Sequence, residues 1–475
     1  MPIRSLHSIP LRLSVAPVLA ALGLTACVDF GKPGTSSVSL PQEWKNAAGF
    51  KVAEPSRDLS RWWGRFGDPT LTRLVTTSLA NNLDVETSMS RVRQARASRE
   101  SEASSLLPTL SGSAGSSANT TMRDNAADSR SISYSTGLNA SWEVDLFGKR
   151  RTSLLASSAN INAAVENLHT VQSSLASEVA LAYLDLRSSQ ARLQVVRDSL
   201  KSREETYQLT VWRQKAGQID QLDLRQAETS LEQAKASIPS LEQSIAQAKN
   251  RLALLGGQTP GSFDGLLSSK GRDIPSPPSG LAVGIPADTV CQRPDVRSAA
   301  YQWVAAVYKT RAAKLERLPN LNLSGSLGIN AATVGKVFNP QTATAGLVAG
   351  LSGPIFDAGR IRANIEIQTE AEEQALLAYS SSVLQALSDV EDALIACRRS
   401  GERIAVLERA TVSAREASIL AGQRYRAGVV DLVTVLDAQR TELGLEESLI
   451  SARTDRSSAY VQLYKALGGG WSANS

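Results

Sequence analysis

Residues able to do covalent or acid–base chemistry are scarce in this chain. Its 475 residues include two histidines and three cysteines. His7 lies in an N-terminal stretch with the features of an export signal, so His169 is the one imidazole expected in the mature chain. One imidazole cannot build a histidine metal cluster and leaves little basis for a Ser/His/Asp triad. His169 is expected to be a bystander on a helix face. No nucleophile motif, metal-ligand spacing or phosphate-cradling glycine loop is visible. The chain is therefore not expected to be an enzyme or to carry a metal or cofactor. Cys291 and Cys397 are too few for a disulfide framework. Both are expected as unpaired, mostly buried thiols, and the sequence does not say whether they interact.

The third cysteine offers a different chemistry. Arg4 and Arg12 supply a positive region, Leu13 to Leu22 is apolar, and Leu24-Thr25-Ala26-Cys27 follows. An apolar region this short marks a cleaved signal, not a span. The string LTAC resembles the bacterial lipobox, in which the cysteine becomes the acylated N-terminus. Val28 in place of an aspartate after it implies sorting to the outer membrane. Several acyl chains anchor a protein firmly. The alternative is an ordinary signal peptide with an incidental cysteine.

Composition narrows the class further. With 42% hydrophobic and 20% charged residues the chain is not disordered. The net charge of +5 is spread along it, with no basic stripe interleaved by aromatics, so nucleic acid is not an expected partner.

These features must be carried by unusually long elements. From Lys149 to Ala216 the chain runs 216 − 149 + 1 = 68 residues without glycine or proline. Ala, Leu, Ser, Gln, Glu and Arg dominate the run, which predicts one helix about 100 Å long. Such a helix needs partners along its whole length. Asp68-Pro69 predicts a helix start, and the helix is expected to run from Thr70 to Leu107 and stop before Pro108. Ile132, Tyr134, Thr136, Leu138, Ala140, Trp142, Val144 and Leu146 alternate with polar residues, a strand with one apolar face. That alternation exceeds the ~9–11 residues a tilted membrane strand needs. Ala216-Gly217 predicts a C-cap, and Asp220 opens a return helix to Leu255 with a kink expected at Pro239.

The whole pattern then recurs. Asp295-Val296 matches Asp84-Val85, Leu318-Pro319 matches Leu107-Pro108, Ala427-Gly428 matches Ala216-Gly217, and Asp431 matches Asp220. Every offset is 211 residues, as in 428 − 217. A second glycine-poor helix is predicted from Arg360 to Ala427, so a tandem duplication is the economical reading. Each repeat reads helix, strand, strand, long helix, tip, return helix. The first repeat places strands at about 108–120 and 132–147, the long helix at 149–216 and the return helix at 220–255. The second places them at about 319–330 and 343–356, 360–427 and 431–467. Four strands per chain cannot close a barrel with a lumen, and an open edge cannot sit in lipid. Three chains would supply twelve strands, wide enough for water.

The strings LTAC, WWGRFGDPTLTRLV, RVRQARA, WEVDLFGKRR, RPDVR, GPIFDAGRIRANI and YRAGVVDLVTVLDAQR together span nearly the whole mature chain. In this order they resemble the outer-membrane efflux protein family, TolC-like, and within it the NodT or OprM-like lipoproteins. The resemblance implies a homotrimer, mainly α with membrane β. A 12-stranded β-barrel would continue into a long periplasmic α-helical barrel. It divides the chain into a signal peptide (1–26), a lipidated tether and equatorial segment (27–69), repeat 1 (70–257), an equatorial linker (258–292), repeat 2 (293–467) and a tail (468–475). The implied function is the passive exit duct of a tripartite efflux pump for small toxic molecules. Its partners would be a periplasmic adaptor and an inner-membrane transporter of the resistance-nodulation-division type. Cys27 would carry the lipid.

By motif, Asp223, Tyr425, Asp437 and Arg440 match positions that bond across the family's closed periplasmic gate. Val430 and Thr434 stand where some members carry an arginine and an aspartate, so a thinner network is expected. A ring of carboxylates repels itself unless such partners satisfy it. The alternative for Asp437 and Arg440 is an ordinary i,i+3 surface pair. Gly217 and Gly428, at the tips, are the implied adaptor contacts, a role compatible with simple C-capping. Two other functions stay open: a duct for secreted proteins, and a trimeric coiled-coil stalk without conductance. The cargo, the particular adaptor and pump, and the open or closed state are not written in the sequence.

Overall fold

Short polar side chains decide where the helices of this chain begin. Asp68 accepts hydrogen bonds from the amides of Thr70 (2.7 Å) and Leu71 (3.2 Å) and so starts α1, Pro69–Asn81. Asn82 does the same for α2, Leu83–Ser104, through the amides of Asp84 and Val85. The single helix expected over 70–107 is therefore two. Asn82 takes an extended conformation between them, and its amide nitrogen donates to the Leu255 carbonyl at 3.0 Å. A break that satisfies donors on both sides costs less than the uninterrupted run of helix-favouring residues suggests.

This computed structural model describes residues 41–47, 51–52, 59–123, 126–267, 273–278, 282–283, 286–337, 339 and 343–471. The signal segment and Cys27 lie outside the described residues. A two-residue strand, β1 (Lys51–Val52), pairs in parallel with β4 (Ala282–Val283). The first repeat continues with β2 (Thr109–Arg123), β3 (Ala126–Val144), α3 (Lys149–Lys215) and α4 (Gln221–Leu255). Two short helices follow, α5 (Asp264–Leu267) and α6 (Pro286–Gln292). The second repeat is α7 (Pro294–Leu315), β5 (Asn320–Ala331), β6 (Ala343–Ser352), α8 (Arg360–Arg426) and α9 (Leu432–Ala466).

Helices α3 and α8 are each 67 residues long. Each is entered through a glycine with left-handed backbone, Gly148 at φ 81° and Gly359 at φ 87°. An aspartate just upstream then satisfies the first amides. Asp145 accepts from Arg150 and Arg151, and Asp357 from Gly359 and Ile361. Helix α4 runs through Pro239 without interruption. Among the described residues no helix is long and apolar enough to cross a membrane.

The four longer strands form one antiparallel sheet in the order β2-β3-β5-β6. Its register aligns like with like. Leu138 lies opposite Leu327, Trp142 opposite Leu323 and Leu321 opposite Leu351, which gives one continuous apolar face. Ser141 opposite Ser324 and Asn139 opposite Ser326 give the other face. The apolar face is uncovered, with Leu347 at 86% exposure. The outer edges of β2 and β6 have no partner strand in this sheet.

The helices flank one another in the same order as the strands. Helix α3 packs against α2, α4, α7 and α9, while α8 packs on α7 and α9. The main core joins the two repeats where Trp62, Leu71, Leu74, Tyr183, Leu184, Leu394 and Tyr464 meet. Trp62 stacks on Tyr464 at 5.2 Å, and the Tyr183 hydroxyl donates to Asp68 at 2.7 Å. Arg293 bridges Asp295 and Asp389 and donates to the Ala466 carbonyl, which ties the start of α7 to the end of α9.

Two expectations need correction here. His169 is no bystander: it is 8% exposed, its ring stacks 4.3 Å from Trp471, and Nδ1 lies 3.3 Å from Glu166. Glu166 in turn pairs with Arg297. This seat pins the chain after α9 against α3. Of the two free cysteines only Cys397 is buried; Cys291 is exposed. Cys291 sits in α6, two residues before Arg293, which separates α6 from α7.

Candidate functional site at the helix tips

The lower ends of α3 and α8 are shaped by two left-handed glycines. Gly217 (φ 70°) and Gly428 (φ 76°) turn the chain after each long helix, and the next amides close on the last helical turn. Gln218 donates to the Arg213 carbonyl and Val429 to the Arg424 carbonyl, both at 2.9 Å. This Schellman-like closure needs positive φ at the glycine, which β-carbon-bearing residues adopt at a cost. Asp220 and Asp431 then start the return helices by accepting from the amides of Asp223 (3.1 Å) and Thr434 (2.9 Å). The Thr434 hydroxyl also bonds Asp431, and these two hydrogen bonds hold the Asp431 carboxyl below its ordinary value.

Tyr425 is the centre of the tip. It is 3% exposed and packs with Ala227, Ala421, Leu432 and Val435, residues drawn from both hairpins. Its hydroxyl lies 3.3 Å from that of Thr210, which is fully buried on α3. The Arg213 guanidinium sits over its ring, 4.5 Å from the centroid, and donates to the Arg426 carbonyl at 3.2 Å. Arg426 in turn reaches Glu205 at 3.3 Å. These contacts join α3 of the first repeat to α8 of the second within one protomer.

Arg440 donates to Asp437 at 2.8 Å; the two are three residues apart, and both side chains are largely exposed. Within a single protomer this is the helix-surface pair. Close by, Gln439 is buried and donates to the Thr206 hydroxyl at 3.1 Å. Arg203, buried on α3, donates to Ser230 of α4. Burial and the neighbouring Arg440 charge press its pKa down. No hydrogen bond joins Asp223 to Tyr425, Asp437 or Arg440 among the described residues; its backbone amide donates to Asp220. Burial, and then the charges of Asp220 and Asp431, raise its pKa. The charges of Asp220, Asp223 and Asp431, from two hairpins, thus feel one another at the tip. A hollow of about 330 Å³ opens beside Tyr425, lined by Glu205, Arg415, Gly422, Gln439 and Glu442.

Sequence reading missed Arg213, Thr210, Glu205 and Arg426. A signal was present: Arg213 and Lys215 recur as Arg424 and Arg426 at the repeat spacing. Basic residues in a last helical turn are explained well enough by the helix dipole. That explanation conceals their bonds across the repeats.

Comparison with known proteins follows the same duplication. A family model described as outer membrane efflux protein matches residues 74–258 and again 285–469. The chain is 30% identical over 466 residues to the pyoverdine export outer membrane protein OpmQ of Pseudomonas aeruginosa, covering 96% of this chain and 97% of that one. It is 31% identical over 474 residues to the toluene efflux pump outer membrane protein TtgF of Pseudomonas putida, covering 97% and 96%. The solved outer-membrane channel OprN superposes with a TM-score of 0.85 at 31% identity, over 93% of this chain and 99% of that one.

Proposed function

Because the chain belongs to the outer membrane efflux protein family, we infer that it is the outer-membrane channel of a tripartite efflux system and lets small molecules out passively. The observation that carries this reading is the twofold fusion of an amphipathic membrane-type sheet to paired helices of 67 residues. The relatives are named for pyoverdine and for toluene, a polar and an apolar cargo. Substrate choice therefore belongs upstream, to an inner-membrane transporter, here assigned to the resistance-nodulation-division type.

Three copies form the working duct in this reading. The unpaired edges of β2 and β6 support it, since four strands leave no lumen and twelve do. So does α8, which carries Leu377, Leu384, Ile395, Val406 and Leu420 exposed along one stripe. A neighbouring copy would cover that stripe. The apolar face of the sheet would meet lipid and the polar face would line water. An acylated Cys27 would add an anchor to the outer membrane.

The tips are assigned two roles. Asp223, Tyr425, Asp437 and Arg440, with Arg213 beside Tyr425, would bias the periplasmic aperture towards closure. Gly217 and Gly428 would allow a periplasmic adaptor to approach the backbone closely. Efflux is tested by accumulation of radiolabelled compounds in cells lacking the gene and in cells complemented with it. Accumulation should rise on deletion for at least one toxic compound. Unaltered accumulation of every compound tried would tell against an efflux duct.

A further inference from the structure

The face of the sheet opposite the apolar one is almost free of charge. From Thr109 to Ser117 on β2, Ser133 to Glu143 on β3, Asn320 to Asn330 on β5 and Thr344 to Ser352 on β6, it presents Ser, Asn, Gly and Thr. Two positions depart from this. One is Val348, and the other is Glu143 at the foot of β3, which is neutralised by Arg150 at 2.7 Å. The glycines are placed so that the face stays low. Gly137 lies opposite Gly328, and a β-carbon on Gly137 would sit 3.1 Å from the Leu327 carbonyl oxygen.

On the reading that three copies close one barrel, this face lines the bore. Twelve strands about 4.8 Å apart and tilted about 40° enclose a backbone diameter of roughly 24 Å, and small side chains leave roughly 18 Å free. A solute crossing this stretch meets hydrogen-bonding groups but no fixed field. We propose that the barrel segment sorts cargo by size and not by charge, so that cationic, anionic, zwitterionic and neutral molecules small enough to enter pass it alike. Any ionic preference of the duct arises below it, in the helical section with its tip carboxylates.

The experiment is ion selectivity of the purified full-length protein in planar bilayers under a tenfold KCl gradient. The tip is opened by Arg213→Ala, and Asp223→Asn and Asp437→Asn take two of its carboxylates away. Onto that background Ser326, at mid-height on the polar face, is changed to Asp or to Lys. Three charges about 9 Å from the axis, screened over a Debye length of about 10 Å, change the axial concentration of a monovalent ion by about two- to threefold. The background protein should pass K⁺ and Cl⁻ within about twofold of each other. Ser326→Asp and Ser326→Lys should shift that ratio by similar factors in opposite directions. A background ratio that is strongly one-sided and that answers the two charges unequally would overturn the proposal, since the bore would then hold a field of its own. Equal ratios in all three proteins would also overturn it, because Ser326 would not line the path. In both cases the duct itself stands. Bilayers without conductance steps in any variant would instead reject the duct and the proposal with it.

Discussion

Replacing Arg213 with alanine should loosen the tip, at a position the sequence pattern did not flag. The guanidinium makes two contacts, over the Tyr425 ring at 4.5 Å and to the Arg426 carbonyl at 3.2 Å. A cation–π contact at a partly exposed site stabilises by about 0.5–1 kcal/mol. The hydrogen bond, itself open to water, contributes about 0.5–1 kcal/mol. Solvent screening favours the lower ends, so about 1 kcal/mol per protomer is a fair figure. In a homotrimer the substitution acts three times, which makes about 3 kcal/mol, or roughly a hundredfold in the closed-to-open ratio. Single-channel recording reads this directly as open probability. Arg213→Lys keeps a cation near the ring but loses the fork, and should fall between the two. Tyr425→Phe removes only a long hydroxyl contact of 3.3 Å and should change little. An Arg213→Ala trimer with open probability within twofold of the unchanged protein would refute the latch.

Burial pushes the Cys397 thiol up to about 12, so it should resist maleimide at pH 8 until the protein unfolds, while exposed Cys291 reacts. Mass spectrometry of labelled peptides separates the two. Burial pushes Asp295 up, but Arg293 beside it more than offsets this and holds it below the usual carboxylate range. A depressed carboxylate stabilises the fold above its unfolded pKa, and that contribution disappears as pH falls through the folded value. Asp295→Asn should therefore lower stability by about 1 kcal/mol at neutral pH. The difference in Tm from the unchanged protein should shrink towards zero below pH ~3.8. Bulky residues at Gly217 and Gly428, both at positive φ, should abolish cross-linking to the adaptor while trimers persist. Retained cross-linking would reject the contact.

Much of this architecture was legible because it is periodic. The alternation from Ile132, the long runs free of proline and the 211-residue spacing each repeat a local rule many times, so single exceptions do not hide them. What stayed hidden rests on single side chains acting at a distance. Asn82 breaks a helix because it can reach the Leu255 carbonyl, 173 residues away in sequence. His169 is held by Trp471, from the opposite end of the chain. At the tip, Tyr425 was found by motif, but its partner Arg213 was not. Its bond to the Arg426 carbonyl crosses from one repeat to the other, a contact that helical periodicity does not announce. Asp437 and Arg440 were legible as a pair, and within one protomer the structure adds nothing to that pair.

A water-filled bore depends on stoichiometry. Each chain contributes four strands with two open edges and an uncovered apolar stripe on α8. Native mass spectrometry of the detergent-solubilised full-length protein counts the copies directly. Particles of three chains are predicted. Monomers, or dimers whose eight strands would leave a bore filled by side chains, would contradict it.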